Sequence, residues 1–189
     1  MKIGINTYGL IEEGLHAGRY GWEFQADSQE GDTYKIEDVL NLILSKNTKN
    51  LLFSNKREDP LDQNQMFLIN LLRPLVDKGY LTEMQTKGNT MPDFFLRPCI
   101  SRWSVQLGDI KDDPFMRLNH DSFQFHVRNP SSYFLIKPTT AESLHFIEGL
   151  FLYQKLPAER TIIQAPKDTP LASHIHHILK NHQCTWIYG

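Results

Sequence analysis

Residues 63–88, QNQMFLINLLRPLVDKGYLTEMQTKG, read as a helix, a stop and a strand in succession. Met66, Phe67, Ile69, Leu72, Leu75 and Val76 recur at helical spacing, so 63–78 predicts a helix with one apolar face. Gly79 supplies the left-handed residue that ends it, and Pro74 is expected to strain or kink its last turn. The run 80–85 then predicts a strand, turned by Lys87, Gly88 and Asn89. A helix delivering the chain straight into a new strand is the repeating unit of a parallel α/β sheet.

The same alternation extends in both directions. Upstream, Asp32 or Thr33 is expected to cap a helix whose apolar positions Ile36, Val39, Leu40, Ile43 and Leu44 share a face, and 51–53 predicts a short buried strand. Downstream, strands are expected at 100–105, 133–137, 161–165 and 185–188, with helices at 140–154 and 171–182. Such alternation implies a mostly parallel sheet with right-handed crossovers, open or closed into a partial barrel, whose binding face lies on the loops leaving the strand C-termini. No repeat, low-complexity tract or linker interrupts the chain, so residues 1–189 read as one domain.

Composition narrows the function classes. A charge of −2 with scattered Lys and Arg gives no basic footprint for nucleic acid. No run of 18 apolar residues offers a membrane span, and the polar opening MKIGIN does not read as a signal peptide, so the cytoplasm is expected. Cys99 and Cys184 stand 85 residues apart in apolar settings and read as two buried thiols in a reducing compartment, unless the fold brings them together as a disulfide.

Several constellations bear on chemistry. His174 and His177 share a helix face, with His176 and His182 nearby, but a zinc site wants a third ligand that nothing local supplies. A solvated face is expected there, with a pH-sensitive patch as the functional alternative. His16 has the chemistry of a general base but no nucleophile at recognisable spacing. No nucleophile elbow, Walker loop or dinucleotide fingerprint occurs. Phe94, Phe95, Trp103, Phe115, Phe123, Phe125, Tyr133 and Phe134 crowd one stretch, interleaved with Arg97, Arg102, Arg117 and Arg128. Core packing accounts for most of these aromatics, and a partner interface rich in aromatics and Arg is the competing account.

A set of short motifs, weak singly, is persuasive in its order. Ile5-Asn6, Ile11-Glu12-Glu13-Gly14 and Gly18-Arg19 are followed by Phe53-Ser54 with Glu58-Asp59-Pro60-Leu61, and by Gln85-Thr86-Lys87-Gly88. Ser104-Val105-Gln106-Leu107, Arg117-Leu118-Asn119, Tyr133-Phe134-Leu135 and Ile163-Gln164-Ala165-Pro166 complete the series. In this order the chain resembles the 7-carboxy-7-deazaguanine synthase family of radical S-adenosylmethionine enzymes over nearly its whole length. The resemblance implies an α/β fold, a partial (β/α) barrel of the reduced radical-enzyme type. It also implies a ligand site drawn from Glu13, Gly14, Gly18, Arg19, Thr86, Gly88, Ser104 and Gln164, with Arg19 offering a bidentate fork to a carboxylate and Glu13 accepting from a pterin-type amino edge.

The family's cluster chemistry needs three thiolates in a short loop, and residues 20–32 contain no cysteine. The two glycines that approach the family's cofactor are replaced by Asn55-Lys56-Arg57, which brings side chains and positive charge where close backbone approach is needed. The expectation is therefore a catalytically inactive relative of the synthase, with no catalytic residue, metal or cofactor, acting as a protein-binding or ligand-binding module. Its partners are expected to be a protein or a second copy, since the family is commonly dimeric, or a pterin- or deazaguanine-like small molecule. An enzyme of the 7-deazaguanine (queuosine) pathway, or of another cluster-independent chemistry on this scaffold, is the alternative.

Overall fold

The computed structural model describes residues 3–13, 15–26, 33–54, 59–62, 64–107 and 119–188. The chain divides into two compact units, one of residues 1–86 and 92–103, the other of residues 87–91 and 104–189. In both, strands alternate with helices, and parallel strand pairs occur in each unit.

In the first unit β1 (Ile3–Leu10) and β2 (Tyr20–Ala26) form an antiparallel hairpin, with β3 (Thr33–Tyr34) on the other edge of β1. β2 then pairs in parallel with β4 (Asn50–Ser54), and β4 with β5 (Leu81–Thr86), so the order is β3-β1-β2-β4-β5. The crossovers are α1 (Ile36–Leu44) and α2 (Gln65–Asp77). The decisive stretch folds as its periodicity requires: α2 buries Phe67, Leu68, Ile69, Leu71, Leu72 and Leu75, each stabilising by about 1.5–3 kcal/mol relative to exposure. Asn64 caps α2 by accepting from the Met66 N–H at 3.0 Å, and Gly79, at φ +78°, ends it. The helix runs through Pro74 to Asp77.

The second unit begins within β6 (Arg102–Leu107), whose first two residues belong to the first unit. α3 (His120–Arg128), β7 (Ser132–Ile136), α4 (Ala141–Tyr153), β8 (Thr161–Gln164), α5 (Ala172–Asn181) and β9 (Thr185–Ile187) follow, in the strand order β6-β7-β8-β9. Val105, Leu107, Phe134, Ile136 and Ile163 from the strands pack with Leu144, Ile147, Leu150, Ile175 and Ile178 from the helices in one core. Because strand side chains alternate, Ser104 and Gln106 stand on the opposite face of β6.

Several sequence expectations need correction. Thr33 is not a helix cap: its backbone pairs with Gly4 in β3, and α1 starts after Lys35, which makes no side-chain cap bond. Asp32 lies outside the described residues. The strand expected at 100–105 begins at Arg102, because Arg97–Cys99 form a 3-10 turn and the Ser101 N–H bonds back to the Thr82 carbonyl at 2.9 Å. Cys99 is buried, but Cys184 is only half-buried, and both are free thiols. The parallel strand β2 and the helix α3 had no counterpart in the sequence reading. Among the described residues no helix is long and apolar enough to cross a membrane.

Candidate functional site

On β5 the pleat sends Glu83 and Gln85 to one face and Thr82, Met84 and Thr86 to the other. The β1–β2 connection lies over the first of these faces. It is closed on itself by Ile11 N–H donating to Arg19 O at 2.9 Å and Gly18 N–H donating to Ile11 O at 2.8 Å. Gly18, at φ +77°, takes the left-handed turn that lets it close.

The closed loop delivers His16 and Arg19 to Glu83, a carboxylate only 2 % exposed. Arg19 Nε lies 2.6 Å from one oxygen and His16 Nδ1 3.0 Å from the other. Arg19 Nη1 also donates to the Leu15 carbonyl at 3.3 Å. With Nδ1–H turned to Glu83, His16 Nε2 accepts from the Gln85 amide at 2.8 Å. A carboxylate-oriented imidazole is the arrangement of a general base, but here its second nitrogen is held by an amide rather than a nucleophile. The network locks the loop onto the strand.

The sequence-predicted residues are placed as follows. Glu13 is exposed in the loop, and Gly14 lies outside the described residues. Arg19 sits just before β2, level with the N-terminal end of β4, whereas Thr86 ends β5 at the opposite edge. Thr86 is also on the other face, its hydroxyl donating to Asp59 Oδ2 at 2.7 Å, while Asp59 Oδ1 accepts from the Leu61 N–H at 3.0 Å. Arg19 and Thr86 are therefore not brought together. In the second unit Gly88 turns at φ +75°, and a Cβ there would stand 3.0 Å from Val105 Cγ1. Ser104 is 0 % exposed, and its hydroxyl has no hydrogen-bond partner among the described residues. Gln164 is half-buried at the C-terminal end of β8. Glu83, His16 as its partner, and Asp59 are what the site prediction missed. The available signal was an acid in the middle of a buried strand.

The remaining candidates separate cleanly. Trp103, Phe123, Tyr133 and Phe134 are core, Phe125 is half-buried, and Phe115, Lys56, Arg57 and Arg117 lie outside the described residues. Phe94 and Phe95 are 72 % and 60 % exposed, stacked edge to face at 5.5 Å. Beside them runs a face of α2 with Met66, 57 % exposed, then Asn70, Arg73 and Asp77. His174, His176 and His177 are exposed on α5, where His177 Nε2 meets Asn181 at 2.9 Å. Among the described residues no group of three or more potential ligands is placed to hold a metal.

An iron–sulfur cluster does not fit this chain. Cys99 lies in the first unit and Cys184 in the second, with no third cysteine in the sequence. Burial pushes both thiols up from their ordinary pKa, so each is held protonated rather than as the thiolate a cluster needs. Protein reconstituted anaerobically with iron and sulfide is expected to carry neither in stoichiometric amount and to stay colourless. Metal analysis and the visible spectrum check this.

Fold and site together define an α/β protein with a mostly parallel sheet, of the partial-barrel type, whose β1–β2 loop is locked onto β5 through Glu83 and Gln85. The structure is similar to the crystal structure of QueE from Escherichia coli, a 7-carboxy-7-deazaguanine synthase, with a TM-score of 0.58 at 11 % identity, over 98 % of this chain and 91 % of that one. No protein-family model matches the sequence, and no curated protein matches it. The likeness is one of fold.

Proposed function

We propose that this protein is a binding module on a deazaguanine synthase-like scaffold, one that does no radical chemistry and engages another protein. The observation that carries the reading is the exposed Phe94–Phe95 pair beside Met66 and Arg73. Aromatics, Met and Arg are the residues enriched at interface centres, and two adjacent phenylalanines facing water have no packing role of their own. The locked network supports the same reading, because Arg19 is held by the chain's own Glu83. The cysteine count supports the loss of the ancestral chemistry.

The test is capture from the native source with wild-type protein and with a Phe94→Ser/Phe95→Ser variant, followed by mass spectrometry. The variant removes exposed side chains only, so its melting temperature should match wild type. A specific protein retained by wild type and lost at least about tenfold by the variant is the expected result, the scale of losing one interface hot spot. Equal retention by both, or retention by neither, refutes the reading.

A second reading keeps a small-molecule role, as a binder of a pterin- or deazaguanine-like ligand or as a cluster-independent enzyme. It draws on the His16–Glu83 pair, the one base-like arrangement among the candidates.

A further inference from the structure

We infer that α4 and α5 hold a divalent transition-metal ion of the nickel, copper or zinc class between them, clamped by His145 and His174 with water completing its shell. The two histidines lie on different helices of the second unit, so only tertiary folding brings them together. Their ring centres stand 6.3 Å apart with the planes at 80°. Both residues are exposed, and neither makes a hydrogen bond or an ion pair among the described residues. Their ring nitrogens are open to an ion arriving from solvent.

Neutral imidazole is the commonest side-chain ligand of these ions. Two imidazoles on one ion, with metal–nitrogen bonds of about 2.0–2.1 Å, bring their ring centres to about 5 Å, so side-chain rotation closing the gap by ~1 Å completes the clamp. The helices beneath are already fixed, because Leu144, Ile147, Ile175 and Ile178 hold α4 and α5 in one buried core. Ligands mounted on rigid elements meet the ion as a pair, which raises the effective concentration of the second once the first has bound. The α4 side is anionic. Glu142 and Glu148 stand three residues to either side of His145, neighbours on the helix surface, and their charge favours a cation. Glu148 also lies 3.9 Å from His177 Nε2, one turn further along both helices. Among the described residues no third histidine, cysteine or carboxylate converges with the pair, which leaves the remaining positions to water and the ion exchangeable.

The test is calorimetry on the full chain without a histidine tag, using nickel chloride and, as the hard-ion control, magnesium chloride. One equivalent of nickel should bind and magnesium should not, because magnesium takes oxygen ligands. His145→Ala and His174→Ala should each weaken nickel binding by about tenfold or more, since either removes one arm of a two-armed chelate. His176→Ala, whose ring meets Trp186 instead, should leave it unchanged. Lowering the pH from about 7.5 to about 5.5 should weaken it too, because protons compete for the ring nitrogens. The two ligands are exposed, so their variants should melt with wild type, and His145→Gln or His174→Gln serves for an alanine variant that does not. No binding by wild type at about 1 mM nickel, the weak end of specific affinities, overturns the inference. So does nickel binding that either ligand variant leaves unchanged, or that His176→Ala weakens as much. Failure here leaves the partner reading untouched, because the phenylalanine variant tests a surface of the first unit.

Discussion

Replacing Glu83 by alanine should destabilise the protein by about 2–4 kcal/mol, near the cost of breaking a buried ion pair from one side. Glu83 is the shared ion-pair partner of Arg19 and His16, whose side chains are themselves only 20 % and 16 % exposed. Without it, a guanidinium and an imidazole face each other with no carboxylate between them, and the loop loses its anchor on β5. Glu83→Gln keeps the shape and one acceptor oxygen and should cost about half as much, since only the charge assistance is lost. The midpoint of urea unfolding reads both. Acetate should restore part of the stability of the alanine variant, by supplying a carboxylate to the space left beside Arg19. A mere packing defect would not respond to it. An alanine variant with an unchanged midpoint would show that the network contributes nothing to stability.

The elements legible in the sequence are those whose apolar period is carried by apolar residues alone. α2, α4 and α5 fall within one or two residues of their expected bounds, and β5 and β7 within one. α3 escaped because its buried face is Ser122, Phe123 and His126, two of them polar. Phe123 and Phe125 meanwhile alternate as strand residues do, and the cap that starts the helix, Asn119 accepting from the Ser122 N–H at 3.1 Å, sits beside residues that read as loop. β2 escaped for a related reason: Tyr20 to Ala26 carries Gly21, Glu23 and Gln25, and its pairing with β4 is a long-range fact no local pattern announces.

The site was legible only in halves. Arg19 and Thr86 were named from resemblance, but the acids that hold them, Glu83 and Asp59, come from distant segments and were read as a strand residue and a loop residue. Contacts that tertiary folding closes between separate segments, Asp59 with Thr86 and Arg19 with Glu83, leave no spacing signature in the chain. Gly88 shows the converse. The family resemblance implies a ligand-site glycine there, yet the turn at φ +75° and the 3.0 Å approach to Val105 already require a residue without a side chain.

Acid should weaken the second unit through His126. The ring is 0 % exposed on α3, its Nδ1 3.1 Å from Ser132 Oγ and its edge against Phe125, and burial lowers its pKa from 6.5 to about 4. Above pH 6.5 the imidazole is neutral in folded and unfolded chains alike, so it contributes no pH dependence there. As pH falls from 6.5 towards 4 the unfolded chain takes up a proton that the folded one refuses, and stability falls with it. Below about pH 4 both states are protonated and the loss levels off. A shift of this size corresponds to about 3 kcal/mol over the window. Carboxylates titrate in the lower part of the same range, so the signature is a difference. Wild type and His126→Leu should be unfolded in urea at half-unit steps between pH 7 and 4. The variant should be the less stable of the two at pH 7, where the Ser132 contact is lost, but its stability should fall less steeply with acid. The two curves should approach, or cross, near pH 4.5. Parallel curves across the whole range would mean that His126 takes its proton as readily folded as unfolded, and that its burial in α3 is not maintained in solution.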